Sequence, residues 1–184
     1  MSRPEILFPL FSDMTALDGV GPKTAKLFER LDLTRPAHLL FTLPTSVTDR
    51  RLRPTLRGAD LPGVVTVEVE IGLHRPPATR GRPYRIHVQD AETEFLLVFF
   101  HPREEWLRRT FPAGQRRIVS GKVEIFDGVA QMTHPDHVLR PGQSEGLPDF
   151  EPVYPLTQGL SLRVMTRAVR DALSRAPQLP EWIE

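Results

Sequence analysis

Val64-Val65-Thr66-Val67-Glu68-Val69-Glu70-Ile71 sets Val65, Val67, Val69 and Ile71 against Thr66, Glu68 and Glu70 in strict alternation. Successive side chains of a strand point to opposite faces, so this stretch predicts a strand buried on one side. Downstream, a loop rich in Pro, Gly and Arg runs from Arg75 to Pro83 and leads into a second strand over Tyr84 to Asp90. A turn at Ala91 to Glu94 leads to a third strand over Phe95 to Phe100. Arg103 to Thr110 then reads as a helix, with Gly114 closing the interruption. Arg116 to Phe126 and Val129 to Thr133 flank Asp127-Gly128, a dipeptide that accepts the positive φ angles of a two-residue hairpin turn. Five strands with a helix between the third and the fourth is the order of an OB-fold. The expectation is a mainly β chain built on a five-stranded antiparallel barrel from about Val64 to Leu139.

The flanks read as helical. Ala16 to Ala25 is a turn bracketed by Gly19 and Gly21 that runs into a helix from Lys23 to Leu31, and Pro22 suits a first turn, where its missing N–H costs nothing. A second helix is predicted over Pro36 to Thr42 and stopped by Pro44. Asp49 to Gly58 is a polar connector carrying Arg50, Arg51, Arg53 and Arg57. Beyond Leu139, Pro141, Gly142, Gly146 and Pro148 have the composition of a linker. A last helix is predicted from Ser161, a good N-cap, to Arg175, with Leu162, Met165, Val169 and Leu173 on one face, before Pro177 and Pro180 break it. That apolar face, with nothing after it, implies a missing partner surface and therefore a longer parent chain. The predicted division is residues 1–60 as a helical segment with a turn like that of a helix-hairpin-helix, 61–140 as the barrel, and 141–184 as linker and helix.

Of 184 residues, 40% are hydrophobic and 26% charged, a composition ordinary for globular proteins. The longest apolar run, Phe95 to Phe100, is far too short to span a bilayer, and the opening Met1 to Met14 is broken by Pro4, Glu5 and Pro9. No signal peptide and no membrane association are expected. Absence of cysteine rules out disulfides, thiolate zinc sites and cysteine nucleophiles, and permits a cytoplasmic location. A net charge of +1 is too small to attract a polyanion through the overall field, so a nucleic-acid site has to be a local patch. Arginine supplies 21 of the 24 basic residues, and guanidinium suits bidentate phosphate contacts and base stacking.

Several constellations invite chemical readings. Gly19-Val20-Gly21-Pro22-Lys23-Thr24 resembles a nucleotide-binding loop, but that loop needs glycine directly before lysine and a strand ahead of it, and here Pro22 intervenes. No ATP site is predicted. The segment is either a hairpin that lets a DNA phosphate approach a helix N-terminus, with Lys23 as a backbone contact, or a plain turn. His134-Pro135-Asp136-His137 carries two imidazoles and a carboxylate, yet a catalytic zinc needs three convergent ligands, and a turn after the fifth strand is the better reading. Glu104-Glu105 fits a helix start. The most coherent signal is for nucleic acid: Arg75, Arg80, Arg82 and Arg85 crowd the loop between the first two strands, and Arg108, Arg109, Arg116 and Arg117 surround the connection into the fourth. Phe99 and Phe100 are strand neighbours, so pleating sends the rings to opposite faces, one into the core and one outward. Alternation does not say which.

These residues resemble the RecG family of ATP-dependent DNA helicases. Leu17 to Lys23 is similar to the family's L-x-G-V-G opening, and Leu39-Leu40-Phe41-Thr42-Leu43-Pro44 with Asp49-Arg50 to its D-L-L-x-H-L-P-x-R-Y-x-D-R block. Val98-Phe99-Phe100 resembles r-F-F-N, Gly121-Lys122-Val123-Glu124 the G-K-v segment, Gln131 to Pro135 the q-M-x-H-P-e segment, and Pro152 to Leu160 the P-V-Y-P-x-T-x-G-L that leads into the helicase lobes. The order is that of the family across nearly the whole chain. Departures are Ser46-Val47-Thr48 where the family has R-Y-E, His101 for asparagine, Ala91-Glu92-Thr93 for a turn containing glycine, and His137 for an aromatic residue.

The resemblance implies the N-terminal wedge region of a fork-processing helicase, a monomer that binds branched DNA at stalled replication forks or Holliday junctions and splits their arms in fork regression and recombinational repair. It implies that Phe99 and Phe100 stack on unpaired bases; Arg75, Arg80, Arg82, Arg85, Arg116, Arg117 and Lys23 are the backbone contacts expected from the residues themselves. ATP and magnesium would bind to motor lobes outside this chain, and no cofactor to the chain itself. The rival reading is an OB-fold that binds protein, for example the acidic tail of single-strand-binding protein. A free-standing enzyme is the weakest reading, with no nucleophile or metal cluster to support it.

Overall fold

The alternation around Val64 to Ile71 forms one long strand whose Val65, Val67, Val69 and Ile71 side chains line a barrel core. The computed structural model describes residues 4–79, 81–101, 103–143 and 147–178. Its strands are β1 (Ser46–Asp49), β2 (Leu52–Arg53), β3 (Gly63–Arg75), β4 (Tyr84–Gln89), β5 (Glu94–Phe99), β6 (Arg116–Phe126), β7 (Val129–Thr133), β8 (His137–Leu139) and β9 (Phe150–Val153). Its α-helices are α1 (Pro22–Glu29), α2 (Pro36–Leu40), α3 (Glu104–Thr110) and α4 (Leu162–Ser174). Contacts sort the described chain into two units: residues up to Val47 together with those from Pro152 onward, and Thr48–Glu151. Among the described residues no helix is long and apolar enough to cross a membrane.

In the Thr48–Glu151 unit the barrel order is β3-β4-β5-β7-β6, and β6 returns to pair with β3 from Gly63 opposite Val123 to Glu70 opposite Arg116. With α3 between the third and fourth barrel strands, this is the OB-fold order. One expectation is corrected: the barrel is mixed, because β5 and β7 run parallel, with Leu96 opposite Gln131 and Val98 opposite Thr133. Neighbouring strands can alternate direction around a closed ring only when their number is even, so five strands force one parallel pair. Tyr84, Ile86, Phe95, Leu97, Val123 and Met132 fill the interior, and Leu107 of α3 and Phe111 just after it complete the core. The β6–β7 turn carries φ angles of 49° at Asp127 and 75° at Gly128, the pair of positive values that the tightest hairpin requires. A side chain at Gly121 would bring its Cβ to 3.2 Å from Met132 and from Pro135 Cα, a tight contact that glycine spares where the chain after β7 passes β6.

The connector from Asp49 to Gly58 does more than span a gap. Arg50 is buried, only 6% exposed, and its guanidinium donates to Glu151 Oε2 at 2.6 Å, Ser120 Oγ at 2.8 Å and Asp136 Oδ2 at 3.0 Å. Ser120 Oγ in turn lies 2.7 Å from Thr66 Oγ1 on β3. Asp90, also buried, accepts hydrogen bonds from Leu56 N, Thr55 Oγ1, Glu92 N and Thr93 N. These fasten the connector to the turn between β4 and β5.

The other unit buries Phe28, Leu39, Met165, Ala168, Val169 and Ala172 in a second core. Ser161 caps α4, its Oγ accepting from Val164 N at 3.4 Å. The expectation that the face of α4 lacks a partner is corrected: Met165 and Val169 are buried with α1 and α2 residues of this chain, while Leu173 is exposed. The buried stripe is completed by Ala168 and Ala172, small residues that sequence patterning underweights. The last helix thus belongs to the first helical segment, where a separate division over 141–184 was expected; Gly146 and Pro180 of that stretch lie outside the described residues.

Arg50→Met should lower unfolding free energy in urea by ~1–3 kcal/mol, because it takes a hydrogen-bond donor from the fully buried Ser120 hydroxyl and from the partly buried Glu151 carboxylate. A second test concerns pH. Burial raises the Asp90 pKa, but the hydrogen bonds from Glu92, Leu56 and Thr93 outweigh it and hold the carboxyl below its ordinary value. A depressed folded pKa stabilises the fold above the unfolded value, about 3.9, and that contribution is lost as pH falls through the folded value. Thermal melts between about pH 5 and 2 should show this loss in the parent chain and a shallower decline in Asp90→Asn.

Candidate nucleic-acid interface

Strand direction determines what the barrel collects at each end. Because β3, β5 and β7 run one way and β4 and β6 the other, one mouth gathers the C-terminal ends of the first three and the N-terminal ends of the last two. That mouth carries Arg75 at the end of β3, Arg82 and Arg85 at the start of β4, Phe99 and Phe100 at the end of β5, and Arg116 at the start of β6. Tyr84 faces Phe99 across the ladder, which puts Arg82 two residues from the aromatic pair's neighbour.

Phe99 is the inward ring, 5% exposed, packed against Phe111 with centroids 5.4 Å apart and edge-on to Trp106 at 6.4 Å. Its assignment as a base-stacking ring is corrected: the ring is part of the barrel core and lines the cleft floor without being exposed. Phe100 is the outward ring, 49% exposed. Beside it Trp106, on α3, is 44% exposed, and Phe100, Trp106, His101, Arg103 and His134 border a cleft of about 330 Å³. His101 adopts a φ of 52°, a left-handed conformation that asparagine also takes readily, so the exchange of one for the other at this position keeps the turn.

Two polar side chains at this end of the barrel, His74 and Tyr84, hold each other. His74 Nε2 lies 2.7 Å from the Phe111 carbonyl and must carry the proton there, leaving Nδ1 to accept from the Tyr84 hydroxyl at 3.0 Å. Burial pushes the Tyr84 phenol pKa up, which keeps that hydroxyl a donor.

Arginines divide sharply. Arg117 is 7% exposed, and its donors are committed to Thr110 O, Arg116 O and Gln115 Oε1. Its assignment to the DNA backbone is corrected: it is a buried structural residue, and burial followed by the charge of Arg140 pulls its pKa down. Arg116 is exposed but paired with Glu68 at 3.1 Å, and Arg108 with Glu104 at 2.8 Å. Arg75, Arg82 and Arg85 have no ion pair among the described residues, and Arg75 stands directly opposite Arg85 in the β3–β4 ladder. Like charges directly opposite repel, so positive charge at this edge of the ladder stays uncompensated among the described residues. Arg80 lies outside the described residues. Lys23, exposed at the start of α1, belongs to the other unit.

Two residues of the cleft escape sequence reasoning. Trp106 is visible there only as an aromatic residue in an otherwise charged helical turn. His134 and its neighbours read together as a plain turn, whereas the structure gives each a separate role. His134 faces Phe100, Asp136 binds Arg50, and His137 lies 3.6 Å from Glu151.

Comparison with known proteins follows this geometry closely. The family model described as the RecG wedge domain matches residues 13–176. The chain is 28% identical over 185 aligned positions to the ATP-dependent DNA helicase RecG of Acidithiobacillus ferridurans, covering 95% of this chain and 26% of that protein. It therefore spans about a quarter of that relative's length. A structure of RecG bound to a three-way DNA junction superposes with a TM-score of 0.69 at 21% identity, covering 87% of this chain and 22% of that one.

The opposite burial of the two rings should separate them in stability. Phe99→Ala should cost ~3–5 kcal/mol in thermal or urea unfolding, as truncation of a core aromatic does, whereas Phe100→Ala should leave the midpoint within about 0.5 kcal/mol of the parent.

Proposed function

The chain belongs to the RecG wedge-domain family, and from that membership we propose that it is the region of a RecG-type helicase that grips branched DNA and parts its arms at a stalled fork or Holliday junction. The observation that carries this reading is the gathering at one barrel mouth of an exposed ring, Phe100, an exposed indole, Trp106, and Arg75, Arg82 and Arg85, which have no ion pair among the described residues. A branch point is where duplex ends and a base loses its stacking partner. An aromatic face beside it replaces that partner, while guanidinium groups hold the flanking phosphates without reading sequence. Trp106 widens the platform that the resemblance assigned to phenylalanine alone.

Binding and parting of strands are the work of this chain; translocation requires a motor. The Gly19–Thr24 segment does not fit ATP: it follows a 3₁₀ turn at Met14–Ala16, not a strand, and Pro22 opens α1 where a phosphate cradle would need glycine next to lysine. In this proposal ATP and magnesium are bound by the remaining three quarters of a full-length helicase, whose hydrolysis pulls parental duplex against the barrel mouth. The region acts as a monomer, one barrel per branch.

Fluorescence anisotropy with a three-way junction, a fork and a linear duplex of matched length tests the reading. Junction and fork should bind more tightly than duplex, with affinity falling steeply as salt rises because phosphate neutralisation releases counterions. Charge reversal at Arg75, Arg82 and Arg85 should weaken all three substrates together. Phe100→Ala should weaken fork and junction by ~1–3 kcal/mol and spare linear duplex. Equal affinity of the parent chain for fork and duplex would overturn the proposal and favour the peptide-binding alternative.

A further inference from the structure

We propose that His134 is the positioning residue of the stacking ring: a neutral imidazole, protonated at Nδ1, whose Nε2 holds the backbone of Phe100 and so aims its ring before DNA arrives. The proposal rests on Phe100 being the ring that stacks. β5 ends at Phe99, whose ladder partner is Tyr84, the first residue of β4. Phe100 therefore stands one residue past the ladder, followed by His101 in a left-handed conformation. Its N–H would have no strand partner; it donates instead to His134 Nε2 at 3.1 Å.

That bond decides the state of the imidazole. An N–H needs a lone pair to receive it, so Nε2 carries no proton and the ring's single proton sits on Nδ1. The histidine is held in turn: its own N–H donates to Val98 O at 2.9 Å, and it takes a φ of 47°. Its ring lies edge-on to Phe99 at 5.7 Å and tilted 36° to Phe100 at 6.0 Å. One residue thus grips β5 at Val98 and at Phe100, with the buried Phe99 ring between. An exposed phenylalanine beyond the end of a strand would otherwise sample several orientations, and fixing it in advance removes an ordering cost from binding.

Three measurements on the full chain test this. In the unbound parent, the imidazole ¹⁵N pattern of His134 should be that of the Nδ1–H tautomer; an Nε2–H tautomer overturns the proposal. His134→Leu removes the acceptor, while His134→Gln offers a carbonyl acceptor and places a similar backbone demand on the turn. The leucine variant should lose roughly 3- to 10-fold of the preference for fork over duplex, part of the roughly 5- to 150-fold that a stacked base supplies, and glutamine should restore most of it. In the Phe100→Ala background, His134→Leu should cause no further loss, since the two act as one unit. A loss of equal size in that background, or parental preference in His134→Leu while Phe100→Ala is impaired, sinks the positioning role and leaves the stacking reading intact. If Phe100→Ala itself keeps the full preference, the stacking reading falls, and the positioning proposal falls with it.

Discussion

A ring of five strands cannot alternate direction all the way round, and the pair that must run parallel here is β5 with β7. The candidate interface descends from that constraint. Parallel neighbours end on the same side, so the register that sets Val98 opposite Thr133 also sets Phe100 and His134 side by side just beyond it. Antiparallel neighbours would have brought the end of β5 against the beginning of β7, and the hairpin at Asp127-Gly128 would stand where His134 does. Parallel strands also need a crossover, and this one consists of α3 and β6. The crossover has to leave from the end of β5, which is why α3 lies at the same mouth and offers Trp106 outward while Leu107 and Phe111 go into the core.

Arg50 has the complementary role on the side of the barrel. Ser120 and Thr66 are outward-facing positions on β6 and β3, where alternation places polar residues for contact with water, yet both are buried. Arg50 covers them, and a buried guanidinium is tolerable only because Glu151, Asp136 and Ser120 satisfy it. The geometry of those bonds is directional and joins three remote stretches of chain: the connector before the barrel, the turn after β7, and the segment leaving the unit at Glu151. Asp136 lies two residues from His134, so the ion pair that closes the side of the barrel also anchors the turn that faces Phe100.

Most of the barrel was legible because its strands are amphipathic, and a period of two survives any detail of packing. β6 and β7 begin and end at Arg116, Phe126, Val129 and Thr133, where alternation and the Asp127-Gly128 turn placed them. The parallel pair was missed because direction is a property of ring closure, which no local pattern encodes. β8 was missed because three residues carry no period. Arg50 and Arg117 were unreadable for a related reason: a guanidinium is drawn as surface by default, and only three-dimensional neighbours reveal the acceptors that let it be buried. The two-ring problem was half legible. Pleating required Phe99 and Phe100 to part, but which ring goes inward depends on Phe111 and Trp106 approaching from α3.

Sorting of the arginines explains how a chain of net charge +1 can present a local site to a polyanion. Near-neutrality spread evenly would leave little field anywhere. Here the carboxylates are not spread evenly with respect to the guanidinium groups: Glu151 and Asp136 are taken by Arg50, Glu104 by Arg108, Glu68 by Arg116 and Asp171 by Arg175. Each such pair removes charge from the distant field and leaves a dipole that salt screens quickly. Arg75 and Arg85 are left facing one another across a ladder with no acid between them among the described residues. Two like charges held opposite on a sheet disfavour one another, and no carboxylate pairs with either among the described residues. Arg75 and Arg85 are thus one of several places where positive charge stays uncompensated among the described residues, and they lie at the mouth where the strand directions have also brought an exposed aromatic ring.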